Sequence, residues 1–201
     1  MLKSGAMFGL DARIALAIFG ALSVISGAAL YSAIQDSKAT ALLTDMSEIV
    51  KAWESYYLDV GQQIPQYATA SDWEKSERLS AELVESSATG WKGPYLPYGL
   101  WTGDKRLAYN TDTSIRILYL NNTANWGDAL SWTPAGYCNV AGDPCSMWVY
   151  IDLKYVNDSL AQALDEKVDG GDGPTTGNFK WIRHVTSTHV FLKGAPVDFS
   201  I

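Results

Sequence analysis

Residues 12–34 of this 201-residue chain form a 23-residue apolar stretch whose one charge, Arg13, sits at its leading end. No other feature restricts the fold as much. Backbone amides in an apolar medium must be paired within their own segment, so such a stretch is a helix wherever water is excluded. At about 1.5 Å per residue it reaches roughly 34 Å, enough for a bilayer core of about 30 Å. Gly20 and Gly27 weaken a helix in water, yet small residues let membrane helices approach closely. Arg13 is near enough to the end to snorkel to the interface. Asp11 stands just ahead of the stretch. A carboxylate at the mouth of a membrane span must be paired or neutralised. That points to a partner for the charge, and so to assembly rather than catalysis.

The helical pattern does not stop with the apolar run. Ala39, Leu42, Met46, Ile49, Trp53 and Tyr56 step by three or four, joined by Leu43, Val50 and Tyr57. Asp45, Glu48, Lys51 and Glu54 fall between them, so one face is apolar and the other wet. No glycine or proline interrupts residues 28–60. The spacing predicts one helix of about 50 residues, roughly 75 Å long. Its first half belongs in lipid or against neighbours, and its second half forms the spine of a soluble domain.

This segment resembles the N-terminus of type IV pilins and type II secretion pseudopilins. In that family a prepilin peptidase removes a short basic leader, usually after glycine. The new first residue, commonly Phe or Met, is methylated, a Glu stands at mature position five, and an Ile-Gly pair lies near position fourteen. Cleavage between Ala6 and Met7 makes Asp11 the fifth residue and sets Phe19-Gly20 at the Ile-Gly place, so three features share one register. Ala6 replaces the usual glycine, Asp11 the usual Glu, and Ala28 a common mid-helix proline. Cleavage after Gly5 restores the glycine but moves Asp11 to sixth place.

The resemblance implies a leader (1–6), a membrane and filament-core half-helix (7–34), and a soluble domain (35–201) that includes the amphipathic half-helix. The fold it implies is α+β, a long N-terminal helix packed on an antiparallel sheet. The implied role is structural and not enzymatic: a subunit of a pilus or secretion pseudopilus. Its partners would be identical or related subunits, prepilin peptidase, an inner-membrane assembly platform and membrane lipid. The protein would wait in a bacterial inner membrane and end in a periplasmic pseudopilus or an extracellular pilus. The charged N-terminus of a neighbouring subunit would compensate Asp11. A different reading takes Lys3 and Arg13 as the basic region, 14–25 as the apolar core, and Ser26-Gly27-Ala28 as the cleavage site of an ordinary signal sequence. That would leave a secreted or signal-anchored periplasmic binding or enzymatic domain. Against it, Asp11 interrupts the leader side, and the helical pattern runs past the cut.

Two further stretches extend the resemblance. GWKGPYLP (90–97) is similar to the passage from helix to sheet in major pseudopilins. LDEKVDGGDGPTTGNFKW (164–181) is similar to the acidic glycine loop before the final hairpin of some pilin-like proteins. Pseudopilins carry Ca²⁺ ligands near the C-terminus, a sequence not clearly reproduced here. Asp169 and Asp172, with Asp165, supply hard oxygen ligands suited to Ca²⁺. The same residues can instead cap backbone amides of a glycine-rich turn.

The remainder reads as one exported domain. With 47% hydrophobic residues, eight Trp and eleven Tyr, a sizeable core is available. Net charge is −7 and no basic stripe exists, which argues against nucleic acid as the main partner. The two cysteines, Cys138 and Cys145, read as a disulfide closing a short loop, the alternative being two buried thiols. Helices are expected over 71–86, where Ser71 and Glu74 make a capping box, and over 156–168. Strands are expected near 106–109, 114–120, 147–153, 178–185 and 189–193, and an irregular loop over 122–143 holds Trp126 and Trp132. His184 and His189, the only histidines, read as surface residues of a hairpin, and no hydrolase, P-loop or dinucleotide motif occurs.

Overall fold

The computed structural model describes residues 7–68, 71–101, 103–123, 126–127, 136–138, 141–154, 158–184 and 186–198. Ala6, with the rest of the expected leader, and Trp132 lie outside the described residues. The uninterrupted helical pattern becomes helix α1, Met7–Val60. The chain divides into two compact units, Met1–Lys38 and Ala39–Ile201. Hydropathy alone puts the boundary between residues 34 and 35, whereas the second unit begins at the first buried residue of the stripe, Ala39.

Among the described residues of the first unit the apolar side chains have no cover. Leu16, Phe19 and Val24 are each 70% or more exposed. The most apolar 18-residue window has a mean hydropathy of 2.1, and none of it is buried. By length and composition this helix suffices to cross a membrane.

In the second unit the main stripe residues of α1 are buried, Ala39, Leu42, Met46, Ile49, Trp53 and Tyr56, while Leu43 and Val50 at its margin are partly buried and Tyr57 is exposed. The helix ends at Gly61, whose φ of 72° is the left-handed conformation glycine adopts without strain, and whose N–H donates to Tyr57 O at 2.8 Å. The GWKGPYLP stretch clamps that end. Lys92 Nζ lies 2.8 Å from Asp59 Oδ1, and Tyr95 Oη donates to Asp59 Oδ2 at 2.9 Å. Trp91 Nε1 donates to Glu82 O at 3.0 Å. A side chain at Gly93 would meet the Trp91 ring at 2.5 Å, so the tryptophan requires the glycine.

Six described strands pair antiparallel: β1 Glu77–Arg78, β2 Leu107–Ala108, β3 Ser114–Asn121, β4 Pro144–Lys154, β5 Phe179–Arg183 and β6 Ser187–Asp198. Their order is β1-β3-β4-β6-β5, with β2 sharing one edge of β3 with β1. Helix α3, Asp158–Asp169, links β4 to β5. Alternate residues point to opposite faces. Ile115, Ile117 and Tyr119 of β3, Met147, Val149 and Ile151 of β4, and Val190 and Leu192 of β6 join the α1 stripe in the main core. Trp53 Nε1 donates to Tyr119 Oη at 3.3 Å. Leu160, Ala161 and Leu164 of α3 complete that face. The fold is therefore α+β, with the helix packed on the sheet as expected.

The opposite face is covered too. Leu118, Leu120, Trp148, Tyr150, Ile182 and Phe191 meet Trp126 and Tyr137 in a second cluster. The Trp126 ring stands 4.9 Å from Trp148 and 5.1 Å from Phe191. Trp126, expected in an irregular loop, is thus an anchor of that loop on the sheet. Cys138 and Cys145 are joined in a disulfide, Cα–Cα 6.2 Å, beside β3.

Several boundaries differ from expectation. The capping box at Ser71 and Glu74 forms, yet its helix, α2, covers only Asp72–Ser76. The chain then extends into β1, because Glu77 and Arg78 pair with Leu118 and Ile117 of β3, and a short 3-10 turn follows at Ser80–Leu83. The expected strand over 106–109 shrinks to Leu107–Ala108, while β4 and β6 run longer than their β-branched cores. His189 is half-buried rather than fully exposed: its side chain is 19% exposed, beside Tyr150, Asp152, Ser187 and His184.

Candidate functional site

The residues expected to serve assembly lie on the first unit of α1. Met7 opens the described helix. Asp11 is exposed, and so are Phe19 and Gly20. Asp11 and Phe19 are eight residues apart, a little over two turns, which puts them near one stripe of the helix. A side chain at Gly20 would meet nothing within 4 Å. The glycine therefore answers no need within this chain, and its smoothness is open to a partner helix. What the segment can do is associate: it offers a band of apolar side chains with one carboxylate at its head.

The acidic glycine loop follows α3. Carboxylate oxygens of Asp165, Asp169 and Asp172 come within 4.8 Å of one another. The three residues differ in how they are used. Asp169 Oδ2 accepts from the backbone N–H of Asn178 at 2.8 Å and of Phe179 at 2.6 Å, and Oδ1 from Asn178 Nδ2 at 3.3 Å. Gly177 makes this possible, since a side chain there would lie 2.4 Å from Asp169 Oδ2. Asp169 is thus an amide cap first, as the turn alternative anticipates. Asp172 is exposed.

Asp165 is the unusual member. It is 3% exposed, its Oδ2 accepts from Gly173 N–H at 3.0 Å, and its Oδ1 is buried without a hydrogen-bond partner among the described residues. Burial, followed by the nearby charges of Asp172, Asp169 and Glu166, pushes its pKa upward despite the Gly173 hydrogen bond. A buried carboxylate oxygen with no donor, beside two more carboxylates, fits a hard divalent cation such as Ca²⁺. Asp165, Asp172 and the outer oxygen of Asp169 would hold it. Its charge would offset the mutual repulsion that raises the Asp165 pKa.

One charge pair had no signal in the sequence. Glu77, with a side chain 0% exposed, takes two hydrogen bonds from Arg106, Nε to Oε1 at 2.5 Å and Nη2 to Oε2 at 2.8 Å. Arg106 Nη1 reaches Asp104 Oδ2 at 2.6 Å, and its guanidinium lies 4.4 Å above the Tyr67 ring. This network ties β1 to the segment leading into β2.

Comparison with protein-family models, curated proteins and solved structures finds no match to this chain.

Proposed function

We propose that the chain is a structural subunit of a type IV filament-like assembly, a pilus or a secretion pseudopilus, stored in the membrane and polymerised through its N-terminal helix. One observation carries this reading: residues 14–34 of α1 are uncovered and apolar, with Asp11 at their head, in the helix whose later turns are the spine of a fully covered α+β domain. A removable signal sequence needs no such continuity. The subunit waits in the bilayer by residues 7–34. In the filament the same surface packs on its copies, and Asp11 pairs with the N-terminal ammonium of a neighbour once the leader is removed at Ala6–Met7. In a water-poor filament core that pairing outweighs the ~0–1 kcal/mol typical of exposed pairs, because the effective dielectric is lower.

N-terminal sequencing and intact mass of the membrane-extracted protein test the processing, with Met7 expected first and N-methylated. Asp11→Ala should leave insertion and folding unchanged and reduce filament incorporation, and Asp11→Glu should restore it. A mature terminus at Ala29 would return the segment to an ordinary signal sequence.

A further inference from the structure

The covered second face of the sheet holds an amine that the filament reading does not use. Phe179 and Trp181 of β5 belong to the main core, so Lys180 between them points to the other face. Register sets Lys180 opposite Phe191 of β6, and Lys193, two residues further on, opposite Trp148 of β4. Lys180 Nζ stands 4.5 Å from the centre of the Trp126 ring and 5.8 Å from that of Trp148. Lys193 Nζ lies 5.9 Å from the same Trp148 ring. Lys180 is 7% exposed, an uncommon degree of burial for a lysine. Among the described residues its Nζ has no ion pair and no hydrogen bond, nor is it a fully buried atom, so the amine itself keeps the small opening to solvent.

These surroundings set the state of the amine. An indole face attracts an ammonium, but an ammonium taken out of water with no carboxylate partner loses more than the rings return. Lys193 of β6 adds a like charge on the same face, and among the described residues Asp172 of the acidic loop is the group that opposes it. Burial first, then Lys193, hold the Lys180 pKa below the usual lysine value. Lys92 is the opposite case. Its side chain is 73% exposed, yet the hydrogen bond to Asp59, then the Asp59 charge, raise its pKa and keep it an ammonium. Only the free amine has a lone pair. Desolvation and a neighbouring cation are two ways in which a lysine becomes a nucleophile, and Lys180 has both.

We propose that Lys180, set between the Trp126 and Trp148 rings beside Lys193, is a nucleophilic amine that captures aldehydes as Schiff bases. The Nζ lone pair attacks the carbonyl carbon, and one Nζ proton passes through solvent to the carbonyl oxygen. The hydroxyl of this carbinolamine leaves as water with the second Nζ proton, and a C=N bond forms. The step needs no oxidant and no reductant. The indole walls suit an aromatic aldehyde, whose ring can lie along them.

The test treats the full-length chain in detergent with limiting benzaldehyde and cyanoborohydride, which reduces the imine to a stable amine. Peptide mass spectrometry then locates the label over a range of pH. Lys180 should be labelled ahead of the far more exposed Lys92, and the pH midpoint of its labelling should lie below that of Lys92. Lys193→Gln, which removes the neighbouring cation, should move the Lys180 midpoint upward and leave that of Lys92 in place. Lys180→Arg, which keeps a charge on the rings, should lose that one label. Lys92 labelled before Lys180 in the folded protein overturns the proposal. So does label that reaches Lys180 only after urea has unfolded the chain, and so does a Lys180 midpoint that Lys193→Gln leaves unmoved.

Discussion

Replacing Arg106 by Met isolates the most deeply buried charge of the domain. The thioether keeps most of the arginine stem but not the guanidinium that stacks on Tyr67, and Glu77 loses both hydrogen bonds of its bidentate partner. Burial opposes the Arg106 charge, but the hydrogen bonds and charge of Glu77, with Asp104 adding, overcome that and hold its pKa above the usual arginine value. The pair is thus strongly coupled in the folded state. Glu77 has no exposed side-chain surface through which water could replace the guanidinium. Breaking a buried pair by removing one partner destabilises by about 3–5 kcal/mol, because the remaining charge is left uncompensated. Replacing both by apolar residues removes that penalty, so Glu77→Leu with Arg106→Met should return to within about 1 kcal/mol of wild type. The coupling energy of the cycle should then be at least about 2 kcal/mol, the Arg106→Met loss less what the double mutant retains. Urea unfolding of the four proteins in mild detergent, followed by tryptophan fluorescence, measures it. A single-mutant loss below about 1 kcal/mol, the value of a surface pair, would refute the reasoning. A double mutant no better than Arg106→Met would do the same.

Trp53→Asp should destabilise by more than about 4 kcal/mol, since Trp53 is buried against Tyr119 and an unpaired carboxylate would replace it. Unchanged thermal unfolding would mean that the stripe does not face the sheet. Burial, partly countered by Arg78, pushes the Tyr119 pKa up to about 12 from an ordinary value of 10.0. The unfolded phenol ionises first, so this contribution, about 3 kcal/mol, is present below pH 10 and is lost as pH rises toward 12. Tyr119→Phe should flatten the alkaline slope of stability, whatever it does to stability at neutral pH. Ca²⁺ at about a hundred times its Kd should add about 2.7 kcal/mol of stability. EGTA should remove that gain, and Asp165→Asn should abolish it. A Tm that does not respond to Ca²⁺ would leave the loop a capped turn.

What the sequence reveals here depends on how local the cause is. The α1 stripe was legible because a 3.6-residue period needs no knowledge of what it packs against. Its end at Gly61 was legible because a left-handed residue must close it. The capping box at Ser71 was legible as a start, but the end of α2 was not. Glu77 leaves the helix to join β3 and to meet Arg106, 29 residues away, and neither partner marks the local pattern. In β4 the residues from Met147 to Ile151 are all buried, so no alternation announces a second covered face. The partial burial of His189 escaped for a related reason. It follows from register across three strands, where a shift of one residue would have sent the side chain to the other face.

Covering both faces of the sheet bears on assembly. Burying apolar surface is worth about 25 cal/mol per Å² wherever it occurs, so association concentrates where such surface is left over. Among the described residues, the large exposed hydrophobic side chains are mostly those of 14–34, and the second unit adds only Tyr57, Leu58 and Leu100. The edge strands of the described sheet are short: β1 and β2 have two residues each and β5 has five. A domain closed in this way has little drive to aggregate through its own surface. Substitutions that place charge within 14–34 should then abolish self-association without lowering the unfolding temperature of the domain, whereas Arg106→Met should do the reverse. In the proposed filament role, that separation lets the domain stay folded while the N-terminal helix is passed from lipid to its copies.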